Sequence, residues 1–278
     1  MGAQGNTNFV RISIMLEGIL FGIIQGVTEW LPISSDGAIT FVKINFFGGT
    51  DISDILLFAL YLHLGTFFAA LIYLRKEVKI LFKTLFNFKN SSLENQSVFK
   101  FILISTLISG ALGYVLFKAI EYSENFIKLS SASLNLLVGF FLLITAVLQL
   151  KKRKMALRNF SDINISDSIV LGIAQGISVL PGLSRSGLTV STLLLRKFND
   201  EESLKLSFLM SLPIVFLGNI VLNLKDFYFS PEILWGILFS FIFGILTIHY
   251  LLKLAKKINF GYFALILGIL MIFSVITG

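Results

Sequence analysis

Gly22–Gly37 reads GIIQGVTEWLPISSDG, and Gly172–Gly187 reads GIAQGISVLPGLSRSG. The two stretches align without a gap at an offset of 150 residues, and six of sixteen positions are identical: Gly22/Gly172, Ile23/Ile173, Gln25/Gln175, Gly26/Gly176, Ser34/Ser184 and Gly37/Gly187. Each lies in an apolar segment interrupted by charge and by proline. Ile14–Phe47 contains Glu17, Glu29, Pro32, Asp36 and Lys43; Asp167–Lys197 contains Pro181-Gly182 and then Arg185. The breaks leave helical pieces of about 13 residues or fewer, roughly 20 Å long at 1.5 Å per residue. Such a piece falls short of the roughly 30 Å of hydrocarbon that a spanning helix must cross. Each segment is therefore predicted to be a helical hairpin that enters a membrane and returns on the same side. Irregular backbone at that depth is tolerated only when buried in protein or lining a polar cavity.

Outside these segments the chain holds six uncharged apolar stretches of spanning or near-spanning length: Ile55–Leu74, Phe101–Phe117, Leu129–Leu150, Leu206–Leu224, Ile233–Leu252 and Ile258–Gly278. Only 14% of the residues are charged, against about 25% in soluble domains, so a water-soluble globule is excluded. The chain has no cysteine and two distant histidines, His63 and His249. This removes disulfides, thiolate nucleophiles and cysteine-ligated metals, and leaves a histidine metal site poorly supported. Met1–Phe9 is polar and Glu17 punctuates the apolar run behind it, so no cleaved signal peptide is expected.

The formal charge of +7 comes from basic residues at the ends of apolar stretches, the membrane-protein pattern and not a nucleic-acid patch. The loops Arg75–Ser97, Lys151–Ser166 and Lys253–Lys257 are basic, which places them in the cytoplasm. That alternation holds for six spans only if Asp167–Lys197 contributes an even number of crossings. The predicted architecture is thus an all-α integral membrane protein: six transmembrane helices plus two re-entrant helical hairpins in an inverted-topology repeat. It forms a single membrane domain over 1–278, with repeats at approximately 14–150 and 167–278 and with Gly48–Asp54 outside. Proteins built this way place substrate where the halves meet. Gly110, Gly113 and Gly139 read as close helix packing, and Pro213 with Asn219 as a kink.

The ionisable residues at the breaks, Glu29, Asp36 and Arg185, are functional candidates because charge in a membrane is costly; a structural ion pair bracing the hairpins is the plainer alternative. Ser34, Ser35, Ser184 and Ser186 flank them, each cluster at a helix start. Helix N-termini attract anions, and a guanidinium fork matches phosphate oxygens. Together they suit a phosphate or diphosphate cradle. Glu29 would repel that anion, so it reads as a ligand for a bridging divalent cation or as a proton carrier. His63, midway along an apolar run, reads as a hydrogen-bonded packing residue more than as a ligand.

At these residues the chain resembles the undecaprenyl-diphosphatase family, the bacitracin-resistance type of membrane phosphatase. The family's first motif, approximately E-G-x-T-E-[FW]-L-P-[IV]-S-S-T-G-H, corresponds to Gln25–Ala38, QGVTEWLPISSDGA; its second, P-G-x-S-R-S-G-x-T, stands unaltered at Pro181–Thr189. His63–Thr66, HLGT, also resembles a family segment.

The resemblance implies dephosphorylation of a C55-type polyprenyl diphosphate to the monophosphate, recycling a lipid carrier, with a divalent cation (Mg²⁺ or Ca²⁺), in a multi-pass protein of the cell membrane. Carried over by position, Glu29, Ser35 and Arg185 are catalytic. Ser34, Ser184, Ser186, Thr189, Gly182 and Gly187 surround the substrate, and Glu29 with Gln25 faces the metal. Two departures stand out: Gln25 replaces the family's glutamate, and Ala38 its histidine. Asp36, where the family has threonine, is expected to supply the missing base or metal ligand. The expected partners are the polyprenyl diphosphate, the bilayer and a second copy in a homodimer, with no nucleic acid. The competing functions are a transporter carrying the lipid phosphate without cleavage and an inactive binding protein.

Overall fold

The computed structural model describes residues 2–31, 33–47, 52–124, 131–150, 158–180, 182–223, 230–254 and 261–277. Pro32, Pro181, the basic run 151–157, and parts of the loops at 48–54, 118–128, 225–232 and 253–257 lie outside them. The described residues are helical, with no strand beyond an isolated bridge between Arg158 and Phe198.

The first broken segment becomes α1 (Gly2–Thr28) and α2 (Ser35–Phe47); the second becomes α7 (Ile165–Ile177) and α8 (Arg185–Leu195). Three of these pieces have the predicted length of 11–13 residues. α1 does not: at 27 residues it runs back through the polar start of the chain, because no proline or glycine pair stops it before Thr28.

The apolar stretches become α3 (Ile52–Tyr73), α5 (Leu93–Glu124), α6 (Ser131–Leu150), α9 (Asp200–Gly218), α10 (Pro231–Leu254) and α11 (Gly261–Thr277). Asp54–Tyr73, Leu93–Ser123, Asp200–Leu222 and Pro231–Leu251 are long and apolar enough to cross a membrane; within the described residues the apolar parts of α6 and α11 are shorter. Large apolar side chains face outward on all of them, among them Leu107, Phe140, Phe216, Leu246 and Phe273. A soluble protein would bury these. The predicted kink appears as a π-helical turn, Asn219–Asn223, continuing α9 past Pro213. Asn219 Nδ2 there donates to Leu60 O at 3.0 Å and to Val215 O at 3.1 Å.

The segment read as the loop Arg75–Ser97 is instead largely helical. α4 (Arg75–Phe86) and a 3₁₀ turn occupy most of it. Its cations recur on one helical face, a pattern that a count of loop charges does not register.

Helix pairs approach closely through small residues. α1 packs along α10, where a Cβ on Gly22 would stand 2.4 Å from the Gly236 carbonyl oxygen; α7 packs along α5, where a Cβ on Gly172 would stand 2.8 Å from Ile108 Cβ. Gly139 of α6 is similarly tight against α11, but Gly110 and Gly113 have only ordinary contacts at 3.6 and 3.7 Å. Those two glycines, expected to be packing points, have room for a methyl group.

Each hairpin is tied at its open end by a carboxylate, partly exposed in the first and fully buried in the second. Lys43 of α2 bonds Glu17 of α1 at 2.7 Å and lies 3.7 Å from Glu232. Asp167 of α7, whose side chain is 0% exposed, accepts from Arg158 at 3.0 and 2.6 Å and from Arg196 Nε at the end of α8. Glu17 and Asp167 stand at the same 150-residue offset as the motifs.

Candidate functional site

The two breaks face each other. α2 and α8 start alike: Ser34 Oγ accepts from Gly37 N, and Ser184 Oγ from Gly187 N, each at 3.0 Å. These are N-caps, which satisfy a backbone donor that the helix itself cannot. Gly182 has φ +97°, and a Cβ there would stand 2.5 Å from Val138 O, so glycine is required on both counts. A Cβ on Gly37 would sit 3.4 Å from Gly182 Cα, a measure of how near the two turns come.

Glu29, one residue beyond α1, is the centre of the arrangement. It is 5% exposed. Its Oε1 accepts from Arg185 Nη2, across the two hairpins. Its Oε2 accepts from Ser35 Oγ at 2.8 Å and from Gln25 Nε2 at 2.9 Å. His63 Nε2, from the middle of α3, stands 3.1 Å from the same oxygen and 3.9 Å from Asp36 Oδ1. His63 Nδ1 faces Ala59 O at 2.7 Å. With Nδ1–H donating to that carbonyl, the imidazolium form offers its Nε2–H to the carboxylates.

Glu29, Ser35, Asp36, Arg185 and Gln25 thus meet at one point, together with a residue that the sequence reading assigned to packing. His63 belongs to the cluster. The signal was present in HLGT and in an imidazole at mid-span; what the sequence lacked was any indication that α3 passes the two turns.

The remaining hydroxyls are engaged by the protein. Ser186 Oγ donates toward Glu29 O and Leu31 O at 3.1 and 2.9 Å, bolting α8 to the turn after α1. Thr189 Oγ1 meets Arg185 O at 2.8 Å and Ser207 Oγ at 2.7 Å. Ser34, Ser184, Ser186 and Thr189 therefore shape the cradle, with their hydroxyl groups already committed. Trp30, next in sequence to Glu29, packs against Phe208 with ring centroids 4.8 Å apart.

At the site, Arg185 Nη1, Gln25 Oε1 and Trp30 Nε1 are buried polar atoms without a hydrogen-bond partner among the described residues. An unmet buried donor or acceptor costs about 1–3 kcal/mol, which an anion at Nη1 and a cation at Oε1 would relieve. For a divalent cation the free donors are hard oxygens, the Gln25 carbonyl and the less buried Asp36 carboxylate, 24% exposed. These suit Mg²⁺ or Ca²⁺. Glu29 is already committed to four neighbours. No group of three His, Asp or Glu among the described residues is arranged to hold a metal unaided. A cation that brings phosphate oxygens with it fits this donor set.

The chain is 39% identical to a protein named undecaprenyl-diphosphatase from Methanococcoides burtonii, over 94% of this chain and 97% of the relative. Proteins of the same name from Methanococcus vannielii (36% identical, 94% and 100% covered) and Haloarcula marismortui (31%, 91% and 94%) are also similar. A family model described as "Bacitracin resistance protein BacA" matches residues 18–273, and the chain belongs to that family.

Proposed function

We propose that the protein is a membrane-embedded phosphatase that hydrolyses an undecaprenyl-type polyprenyl diphosphate to the monophosphate and inorganic phosphate, recycling the lipid carrier in the cell membrane. The observation that carries this reading is the 2.8 Å bond from Ser35 Oγ to Glu29 Oε2. A hydroxyl paired with a buried carboxylate beside a guanidinium is what nucleophilic attack on phosphorus requires, whereas carrying the lipid phosphate intact requires only the guanidinium.

In the proposed reaction the terminal phosphate binds against Arg185, whose unpartnered Nη1 turns to its oxygens. Ser35 Oγ attacks the terminal phosphorus and its proton passes to Glu29. The bond from phosphorus to the bridging oxygen breaks, and the polyprenyl monophosphate leaves. Water then cleaves the phosphoserine, releasing phosphate and returning the proton to Ser35. His63 and Gln25 hold Glu29 in place, and His63 stands where it can take on the proton-handling that the family's histidine, here Ala38, would perform. Asp36 and the Gln25 carbonyl would hold the divalent cation. When bound, that cation neutralises phosphate oxygens next to Glu29.

The architecture proposed for this site is six spans with α1–α2 and α7–α8 as re-entrant hairpins of inverted repeats, 14–150 and 167–278. The matched caps, the matched glycine seams of α1 and α7, and the two carboxylate ties support it. The deciding experiment is phosphate release from polyprenyl diphosphate by purified protein, with and without Mg²⁺ or Ca²⁺. Stoichiometric release with turnover is expected. No release, with lipid-phosphate flipping in vesicles, would establish transport instead.

A further inference from the structure

At the far end of α3 from His63, the chain turns from Tyr73 into Arg75 and encloses a surface cavity of about 500 Å³ against α10, lined by Ile72, Tyr73, Arg75, Lys76, Glu77 and Ile245. Its walls are divided in character. Ile72, 46% exposed, and Ile245 belong to the two apolar helices. Arg75 and Lys76 are exposed cations with no ion pair among the described residues, and Glu77 is the single anion in the lining. The positive face continues along α4 through Lys79 and Lys83, both exposed. Beside that face, Phe82, Leu85 and Phe86 are 59, 52 and 84% exposed, while Val78 and Leu81 on the other side pack into the core.

A helix with one face on the protein, a flank of bare aromatic and aliphatic side chains and a row of cations is built for the headgroup layer. Basic pockets between membrane helices suit anionic lipid headgroups. We infer that this cavity is a binding site for an anionic phospholipid, with the phosphate on Arg75 and Lys76 and an acyl chain along Ile72 and Ile245. The apolar wall selects a lipid over a soluble phosphate, because it runs onto the outward surfaces of α3 and α10, where a soluble ligand gains nothing. The site is separate from the phosphatase cradle. Tyr73 and His63 are three turns apart on one helix, about 15 Å at 1.5 Å per residue.

Native mass spectrometry of the delipidated full-length protein, titrated with phosphatidylglycerol or phosphatidylcholine of the same acyl chains, tests this. The wild type should prefer phosphatidylglycerol. Arg75→Gln with Lys76→Gln should weaken that lipid about 30-fold, at the usual contribution per basic residue, and leave phosphatidylcholine binding unchanged. Arg75→Lys with Lys76→Arg should keep the preference, and so should Lys118→Gln, an exposed cation elsewhere. Equal retention of the two lipids by the wild type, undiminished phosphatidylglycerol binding in the double glutamine variant, or displacement by glycerol phosphate would overturn the proposal. A second measurement is independent of variant binding. The chain has no cysteine, so a spin label at Phe82→Cys reports its own depth in a phosphatidylglycerol bilayer. Collisions with oxygen should exceed those with a water-soluble nickel chelate; the reverse would place α4 in water and refute the site.

Discussion

Glu29→Gln keeps the shape of the side chain at the junction and removes one charge. The carboxylate it replaces is 4% exposed and accepts from Arg185, Ser35 and Gln25 while facing His63. Arg185, 14% exposed, then loses its anion and keeps a buried Nη1 that already lacks a partner. Leaving one member of a buried pair uncompensated costs about 3–5 kcal/mol. The same change removes the proposed acceptor for the Ser35 proton, a contribution of roughly 10²–10⁴ in rate for a positioned base. Both effects are measurable on purified protein: turnover by phosphate release from polyprenyl diphosphate, and stability by detergent-titrated unfolding followed through Trp30, the sequence neighbour of Glu29, at 1% exposure. Adding Arg185→Met to Glu29→Gln should recover much of the stability and none of the turnover, since the stranded charge is gone while the base is still missing. Turnover of Glu29→Gln within about threefold of wild type, a difference too small for a lost proton acceptor, would refute the reasoning.

Ser35→Ala should abolish turnover and leave substrate binding nearly intact, measured by phosphate release beside lipid binding; residual turnover near wild type would exclude Ser35 as nucleophile. Asp36→Asn should raise the Mg²⁺ or Ca²⁺ concentration needed for half-maximal rate, and full turnover at unchanged cation demand would remove Asp36 from the site. His63→Ala should lower kcat by about 10²-fold or more if it moves protons and should alter the pH–rate profile, whereas a packing role would change stability alone; adding Ala38→His to that variant tests whether the family position can restore the profile. Asp167→Asn strands Arg158 and Arg196 at the mouth of the second hairpin and should destabilise the protein by about 3–5 kcal/mol, read as an earlier unfolding transition.

Much of this site is legible in the sequence, for a physical reason. A proline-broken, serine-flanked, charged stretch cannot be an ordinary membrane helix, and its recurrence 150 residues later pairs the two breaks. The meeting of Glu29 with Arg185 follows from the cost of leaving either one alone. His63 escaped because membership of the site depends on where α3 passes, which local pattern does not encode. The roles of Ser34 and Ser184 were half visible: their place at helix starts was readable, but whether a hydroxyl serves a ligand or its own backbone depends on geometry of a few tenths of an ångström. Asp167 marked only the edge of a segment in the sequence, and its two arginine partners come from the chain on either side of the hairpin. Gly110 and Gly113 show the converse, since small residues permit close packing without compelling it.

The central claim is that the two broken segments touch, and a disulfide tests it most directly. Ser186 Oγ reaches the Leu31 carbonyl oxygen at 2.9 Å, and the natural chain contributes no competing thiol. In Leu31→Cys/Ser186→Cys, mild oxidation should join the two halves, so that fragments produced by cleavage at Lys151–Lys154 stay together until reduced. Fragments that separate without reductant, from protein that otherwise folds and turns over, would contradict the account.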